Sequence, residues 1–260
     1  MSVVRLGTAG FSLDPAAYWA RFGVVELKAS ALGKTPLAAA QRLGRSASPS
    51  AFIALRAPKL ITHGSPATDR RRAGRRSDHP TIAPFADTRE TRRLWRETIE
   101  IVHALGAKLV VLACPASLGP SPETIDRLCA FCDWAHRRGV HLGWQVGHDA
   151  WTDDELWRLC RELSLTHVVD PLVRPCVRPR PAYFRLTGLG SRRSYAPEDI
   201  DRLAAICRAT TAPTERFRGV NCVFSTATAV ADADRLGALL ASEPLPALEP
   251  DAGQDPPREA

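Results

Sequence analysis

Eight short apolar runs recur along the chain, and between most of them the apolar residues spread out to a helical spacing. The runs are Val3–Leu6, Val24–Leu27, Phe52–Leu55, Leu109–Leu112, His141–Val146, His167–Asp170, Ala182–Leu186 and Val220–Phe224. They are rich in Val, Leu and Phe and alternate little, as strands buried on both faces of a parallel sheet do. The segments between them carry helix start signals. Thr35-Pro36 opens a helix through Leu43, with Thr as cap and Pro in the first turn. Asp87 or Thr88 opens a long one to Leu105, closed by Gly106. Ser121-Pro122-Glu123 opens the next, ending at Gly139, and Thr152 to Glu155 reads as a capping box leading to Glu162. Ala196 to Asp199 starts a helix to about Thr210, and the last helix covers about Ala229 to Leu240.

Two places break this rhythm. Gly64 to Ala86 is a long polar insertion after the third strand. Between strands six and seven, DPLVRPCVRPRP has four prolines and no helical period. It is still long enough to cross between parallel strands, which takes about a dozen residues. Eight strand-then-helix units predict a TIM-like (β/α)8 barrel over residues 1–241. An open doubly wound sheet is the alternative. It calls for a glycine-rich turn after the first strand, and LGTAGFS lacks the third glycine of that pattern. The end of the chain, 242–260, is Pro-rich and acidic and reads as disordered.

Composition narrows the setting more than the chemistry. With 260 residues, 45% hydrophobic and 24% charged, the chain is an ordinary globular sequence able to bury a core. No apolar run approaches the ~18 residues of a membrane helix. The start, MSVVRLGTAG, lacks the regions of a signal peptide, so the expectation is a cytoplasmic protein without a membrane partner. Seven cysteines, odd in number and widely spread, argue against a disulfide framework. The one close pair, Cys129 and Cys132, lies within a helical pattern and reads as helix packing. The net charge is +7, and from Glu243 onward five acids stand against one arginine, so the rest of the chain carries +11. Such a body either favours an anionic partner (phosphate, nucleic acid or an acidic protein) or simply carries solvated arginines, and the two readings stand level.

In a barrel of this kind chemistry sits at the C-terminal strand ends. Those ends supply Thr8; Glu26 and Lys28; Arg56, Lys59, Thr62 and His63; Gln145, His148 and Trp151; Asp170; and Arg185, with Tyr195 beyond. Glu26 and Lys28 are two apart and so share a face. Glu26 and His148 are the acid–base candidates, and the others are ligand-binding candidates. Plain structural readings stand beside these: Glu26 pairing with Lys28 or Arg56, His63 capping a turn, His148 and Trp151 packing a loop, Asp170-Pro171 making a turn. Arg185 is harder to read as structural padding. A guanidinium in an apolar strand needs an anion, a bound one or Glu26 or Asp170. Arg70, Arg71, Arg72, Arg75 and Arg76 crowd one stretch, either as a solvated loop or as a contact surface for nucleic acid or an acidic partner. No aromatic residue lies nearby to stack bases. The histidines show no metal-ligand spacing, and no Walker loop, G-x-S-x-G elbow or kinase signature is present, so neither metal nor cofactor is expected.

The strand ends, taken in order, resemble those of domain-of-unknown-function family 72, the YecE-like proteins. The matching stretches are LGTAGFS, VVELKASALGKTP, FIALRAPKLITHG, GWQVGHDAW, YFRLTG and VFSTATAVADADRL, covering the chain to about Leu240. The resemblance implies a TIM-like barrel and leaves the reaction open. Against the family pattern, Lys28 stands for an Asn, Gln145 and Gly147 for a Glu and an Arg, Thr187 for a His, and Ser225-Thr226 for an Asn pair. Replacing Glu by Gln removes a proton acceptor and keeps much of the shape. The expectation is anion binding at the barrel mouth, with an enzyme on a phosphorylated substrate and a non-catalytic barrel serving as a subunit or protein-interaction module as the competing outcomes.

Overall fold

The computed structural model describes residues 3–64, 82–135, 137, 139–147, 150–177, 182–191, 193–211 and 219–242. Eight parallel strands close into a barrel in chain order, β1 Val3–Ala9, β2 Val24–Lys28, β3 Phe52–Arg56, β4 Leu109–Ala113, β5 His141–Gln145, β6 Leu165–Val169, β7 Ala182–Leu186 and β8 Gly219–Phe224. β1 pairs with both β2 and β8, which closes the ring and excludes the open sheet. Around it lie α1 Pro15–Arg21, α2 Pro36–Ser46, α3 Lys59–His63, α4 Arg89–Leu105, α5 Pro122–Trp134, α6 Asp153–Glu162, α7 Pro197–Thr210 and α8 Ala229–Ser242.

The caps work as their residue types require. The Thr88, Ser121 and Thr152 hydroxyls each accept a backbone N–H of the first turn, and Gly106 ends α4 in the left-handed region at φ 64°. Thr35 sits at the start of α2 but makes no side-chain cap bond. The structure also departs from the sequence pattern. α1 and α3 are single short helices that periodicity over so few residues does not reveal. α5 stops at Trp134, five residues before Gly139. β1 runs on to Ala9, and β6 starts at Leu165, two residues before the apolar run suggests. Between β6 and β7 no helix is present among the described residues.

Alternation sets what each strand presents. Val24, Ala54, Val111, Val168, Tyr183 and Val223 pack together as the filling of the barrel, while the other strand faces pack with the helices in the larger core. Gly7 allows β1 and β2 to meet, since a Cβ there would lie 1.7 Å from the Val24 carbonyl oxygen. Two residues beyond Val24, Ala54 and Tyr183, on the same faces, stand Glu26, Arg56 and Arg185. Period 2 therefore puts a charged layer directly on the apolar filling, at the C-terminal end.

Candidate functional site

Glu26 and Arg185 are both buried, at 2% and 9% exposure. Arg185 Nε donates to Glu26 Oε1 at 2.9 Å and Oε2 at 3.2 Å, and the Tyr183 hydroxyl donates to Oε2 at 3.1 Å. Arg185 Nη1 donates to Gln145 Oε1 at 3.2 Å. The anion that a guanidinium in an apolar strand needs is thus supplied from β2, and Gln145 holds its far end. Arg56 reaches the same carboxylate only as a longer ion pair, Nε to Oε1 at 3.7 Å. Burial pulls the Arg56 pKa down, the neighbouring Arg185 pulls it further, and Glu26 offsets this only in part. One carboxylate therefore serves two guanidinium groups.

This layer floors a cleft of about 980 Å³ whose wall includes Thr8, Ser12, Lys28 and the turn 225–228 after β8. Lys28 and Arg56 are register partners on β2 and β3, so two like charges stand side by side at the rim. Arg21 of α1 and Asp234 of α8 pair across the outer edge. The ionisable wall residues are Arg21, Lys28, Arg56 and Arg185 against Glu26 and Asp234. Thr8 belongs to the wall's scaffold. Its backbone N–H donates to the Tyr18 hydroxyl at 2.7 Å, and its own hydroxyl donates to the Gly10 carbonyl at 2.8 Å. The Tyr18 hydroxyl in turn donates to the Val24 carbonyl at 2.8 Å, which ties α1 to β1 and β2.

A second cleft of about 410 Å³ opens at the ends of β5, β6 and β7. Its wall includes Gln145, His167, Asp170, Arg174, Thr187 and Arg193. Asp170 Oδ1 accepts the Leu172 N–H at 3.1 Å, and Oδ2 accepts the Tyr195 hydroxyl. The Thr187 backbone N–H bonds the same carboxyl. Burial raises the Asp170 pKa against these bonds, and burial followed by Asp170 raises that of Tyr195. Tyr195 also accepts the Gly188 N–H at 2.9 Å. A small hairpin, bridged at Leu189 and Ser194, is thereby pinned to the end of β6. Gly188 has φ 86°, and a Cβ there would sit 2.1 Å from the Arg193 carbonyl carbon, so the bend requires glycine.

The structure brings Thr8, Glu26, Lys28, Arg56 and Arg185 together in the first cleft, and Gln145 and Asp170 in the second. Lys59, Thr62 and His63 lie on α3 and not on the end of β3, and they line neither cleft. Thr62 Oγ1 and His63 Nδ1 share a hydrogen bond at 2.8 Å, and burial, Lys59 and Arg56 lower the His63 pKa. Trp151 is buried against Trp144 and donates its Nε1–H to the Leu118 carbonyl at 2.7 Å. Tyr195 is the buried latch already described. His148 and Arg70, Arg71, Arg72, Arg75 and Arg76 lie outside the described residues. Tyr183, His167, Arg174 and Arg193 were not singled out from sequence. Tyr183 was within reach, being two residues before Arg185 on the same face. His167 sits on β6, and Arg174 and Arg193 take their place only from the loops.

Among the described residues no group of three or more His, Cys, Asp or Glu is placed to hold a metal ion. None of the described helices is long and apolar enough to cross a membrane.

Comparison with solved structures agrees with the fold. A DUF72 family protein of Enterococcus faecalis V583 superimposes with a TM-score of 0.70 at 13% identity, over 93% of this chain and 98% of that one. A DUF72 family protein of Thermotoga maritima MSB8 gives 0.62 at 20% identity, over 92% and 99%. A D-tagatose 3-epimerase-like protein gives 0.56 at 13% identity, over 92% and 97%, a likeness of barrel architecture alone. Among curated proteins none matches the chain. The family model described as "Protein of unknown function DUF72" matches residues 14–256, and the chain, with its eight-stranded ring and strand-end sequences, belongs to that family.

Proposed function

We propose that the first cleft binds a phosphate-bearing anion, with Arg56 and Lys28 as the cations that meet it and the Glu26–Arg185 pair as a fixed floor. The observation that carries this reading is the shared carboxylate. Arg185 takes the short, two-oxygen contact with Glu26, and Arg56 is left with a 3.7 Å contact. Lys28 has no ion-pair partner among the described residues and stands beside Arg56 in register. Like charges held as neighbours repel each other, and an oxyanion between them removes that cost. The Ser12 hydroxyl in the wall is a donor suited to phosphate oxygens, whereas those of Thr8, Ser225 and Thr226 already donate to protein acceptors.

Binding without turnover is favoured by the state of Glu26. Both its oxygens already accept hydrogen bonds, from Arg185 and Tyr183, and a general base needs a lone pair turned toward the proton it takes. Titration of the protein with inorganic phosphate, followed by calorimetry, tests the reading. Arg56→Ala is expected to weaken binding roughly tenfold, the size of one charge-assisted contact. Affinity unchanged in Arg56→Ala would overturn it.

A further inference from the structure

The second cleft makes an offer of its own, independent of Arg56. Its acceptors are spent. Asp170 takes Leu172 N–H, Thr187 N–H and the Tyr195 hydroxyl, and Gln145 Oε1 takes Arg185. What remains on its side chains is mostly donors. Arg174 gives Nε to Asp153 Oδ1 at 2.7 Å and Nη2 to the Trp151 carbonyl, while its Nη1 is buried with no hydrogen-bond partner among the described residues. An unmade hydrogen bond from a buried guanidinium is costly, and wall groups left this way point to an absent acceptor. His167 Nδ1 accepts the Val177 N–H at 3.2 Å, so the neutral ring carries its proton on Nε2. Burial, with Arg174 second, lowers the His167 pKa to about 4, which keeps the ring in that neutral donor form near neutral pH. Gln145 spends its amide oxygen on Arg185, and its amide N–H groups make no hydrogen bond among the described residues.

Arg193 completes the set. It is exposed, has no ion-pair partner among the described residues, and lines the cleft from the pinned hairpin. Its backbone stands at φ 48°, a region that non-glycine residues rarely occupy. Such a conformation persists where surrounding bonds enforce it, and here the Tyr195 latch and the Leu189–Ser194 bridge do so.

We infer that the cleft between the ends of β5, β6 and β7 is a second oxyanion subsite, in which Arg193, Arg174 Nη1, His167 Nε2 and the Gln145 amide donate to a phosphate or carboxylate group. The Arg185–Gln145 hydrogen bond separates it from the first cleft, so the mouth presents two anion positions on either side of one bridge.

Inorganic phosphate is the probe, and the ring nitrogen signals of His167 in NMR are the local readout. Arg193→Gly removes the guanidinium and places there the residue that favours the positive φ, so the fold is retained. In the unmodified protein and in Arg56→Ala, phosphate should shift the His167 signals. In Arg193→Gly that shift should require roughly tenfold more phosphate. A His167 signal unmoved by phosphate in the unmodified protein, or moving with the same midpoint in Arg193→Gly, overturns the second subsite. So does a response abolished by Arg56→Ala alone, which assigns all binding to the first cleft. The Arg56 reading and this one thus fail separately.

Discussion

At the scale of single residues, the strongest constraint is the burial of Glu26 beneath two guanidinium groups. A carboxylate with 0% side-chain exposure needs partners of this kind to offset its burial, and Arg185 at 11% depends on it in return. Glu26→Ala removes the counter-charge and leaves Arg185 buried and unpaired. The expected loss is about 3–5 kcal/mol of stability, read from denaturant unfolding. A second residue-level expectation concerns pH. His167 is pulled below its ordinary 6.5 to about 4, because burial penalises the charged ring and Arg174 repels it. The folded state therefore refuses a proton that the unfolded chain accepts. The stability this represents is complete above pH 6.5 and is lost as pH falls toward 4. It amounts to roughly 3 kcal/mol at most, from the linkage between pKa and folding. His167→Gln should flatten the unfolding-versus-pH curve in that window compared with the parent protein.

At the scale of elements, caps and turns place the charged layer. Thr152 and Glu155 close a reciprocal box at the start of α6, with the Thr152 N–H donating to Glu155 Oε2 at 2.8 Å and the Glu155 N–H donating to Thr152 Oγ1 at 3.2 Å. This cap also fixes the loop from which Asp153 and the Trp151 carbonyl hold Arg174. Thr152→Ala should lower stability by about 1 kcal/mol, the usual value of a hydroxyl cap, in thermal or denaturant unfolding. That box, the Ser121 cap and the Gly106 stop are written in local sequence, because each needs only residues within one turn of each other. α1 and α3 were not legible: five to seven residues carry too little periodicity, and α3 owes its docking to buried Ile61 and Thr62. Placing Lys59 and His63 at the end of β3 failed for that reason, since the helical turn carries them off the strand's line.

At the scale of the molecule, the distribution of charge adds to what the clefts do. The segment from Glu243 onward holds five acids and one arginine, and a chain ending at Ser242 carries +11 in place of +7. The shortened protein should bind phosphate a few-fold more tightly at low ionic strength, with the difference vanishing in molar salt where charges are screened within about 3 Å. Equal affinities at low salt would place the tail's charge beyond reach of the mouth.

The sequence by itself determined eight strands covered on both faces, because eight apolar runs, each too short for a helix and unbroken by polar alternation, demand burial on both sides. That closure and not an open sheet supplies one of those covers was decided by the pairing of β1 with β8. The sequence also determined that Arg185 must meet an anion, since burial of an unpaired guanidinium is prohibitive anywhere in a fold. The choice of that anion belonged to the tertiary structure alone. Glu26, Asp170 and a bound ligand all satisfied the sequence; only the register and curvature of the closed barrel bring β2 across from β7 and commit Asp170 to Tyr195 instead. The second cleft was likewise beyond the sequence, because Arg174 and Arg193 reach His167 of β6 from loops whose paths are set by contacts far apart in the chain.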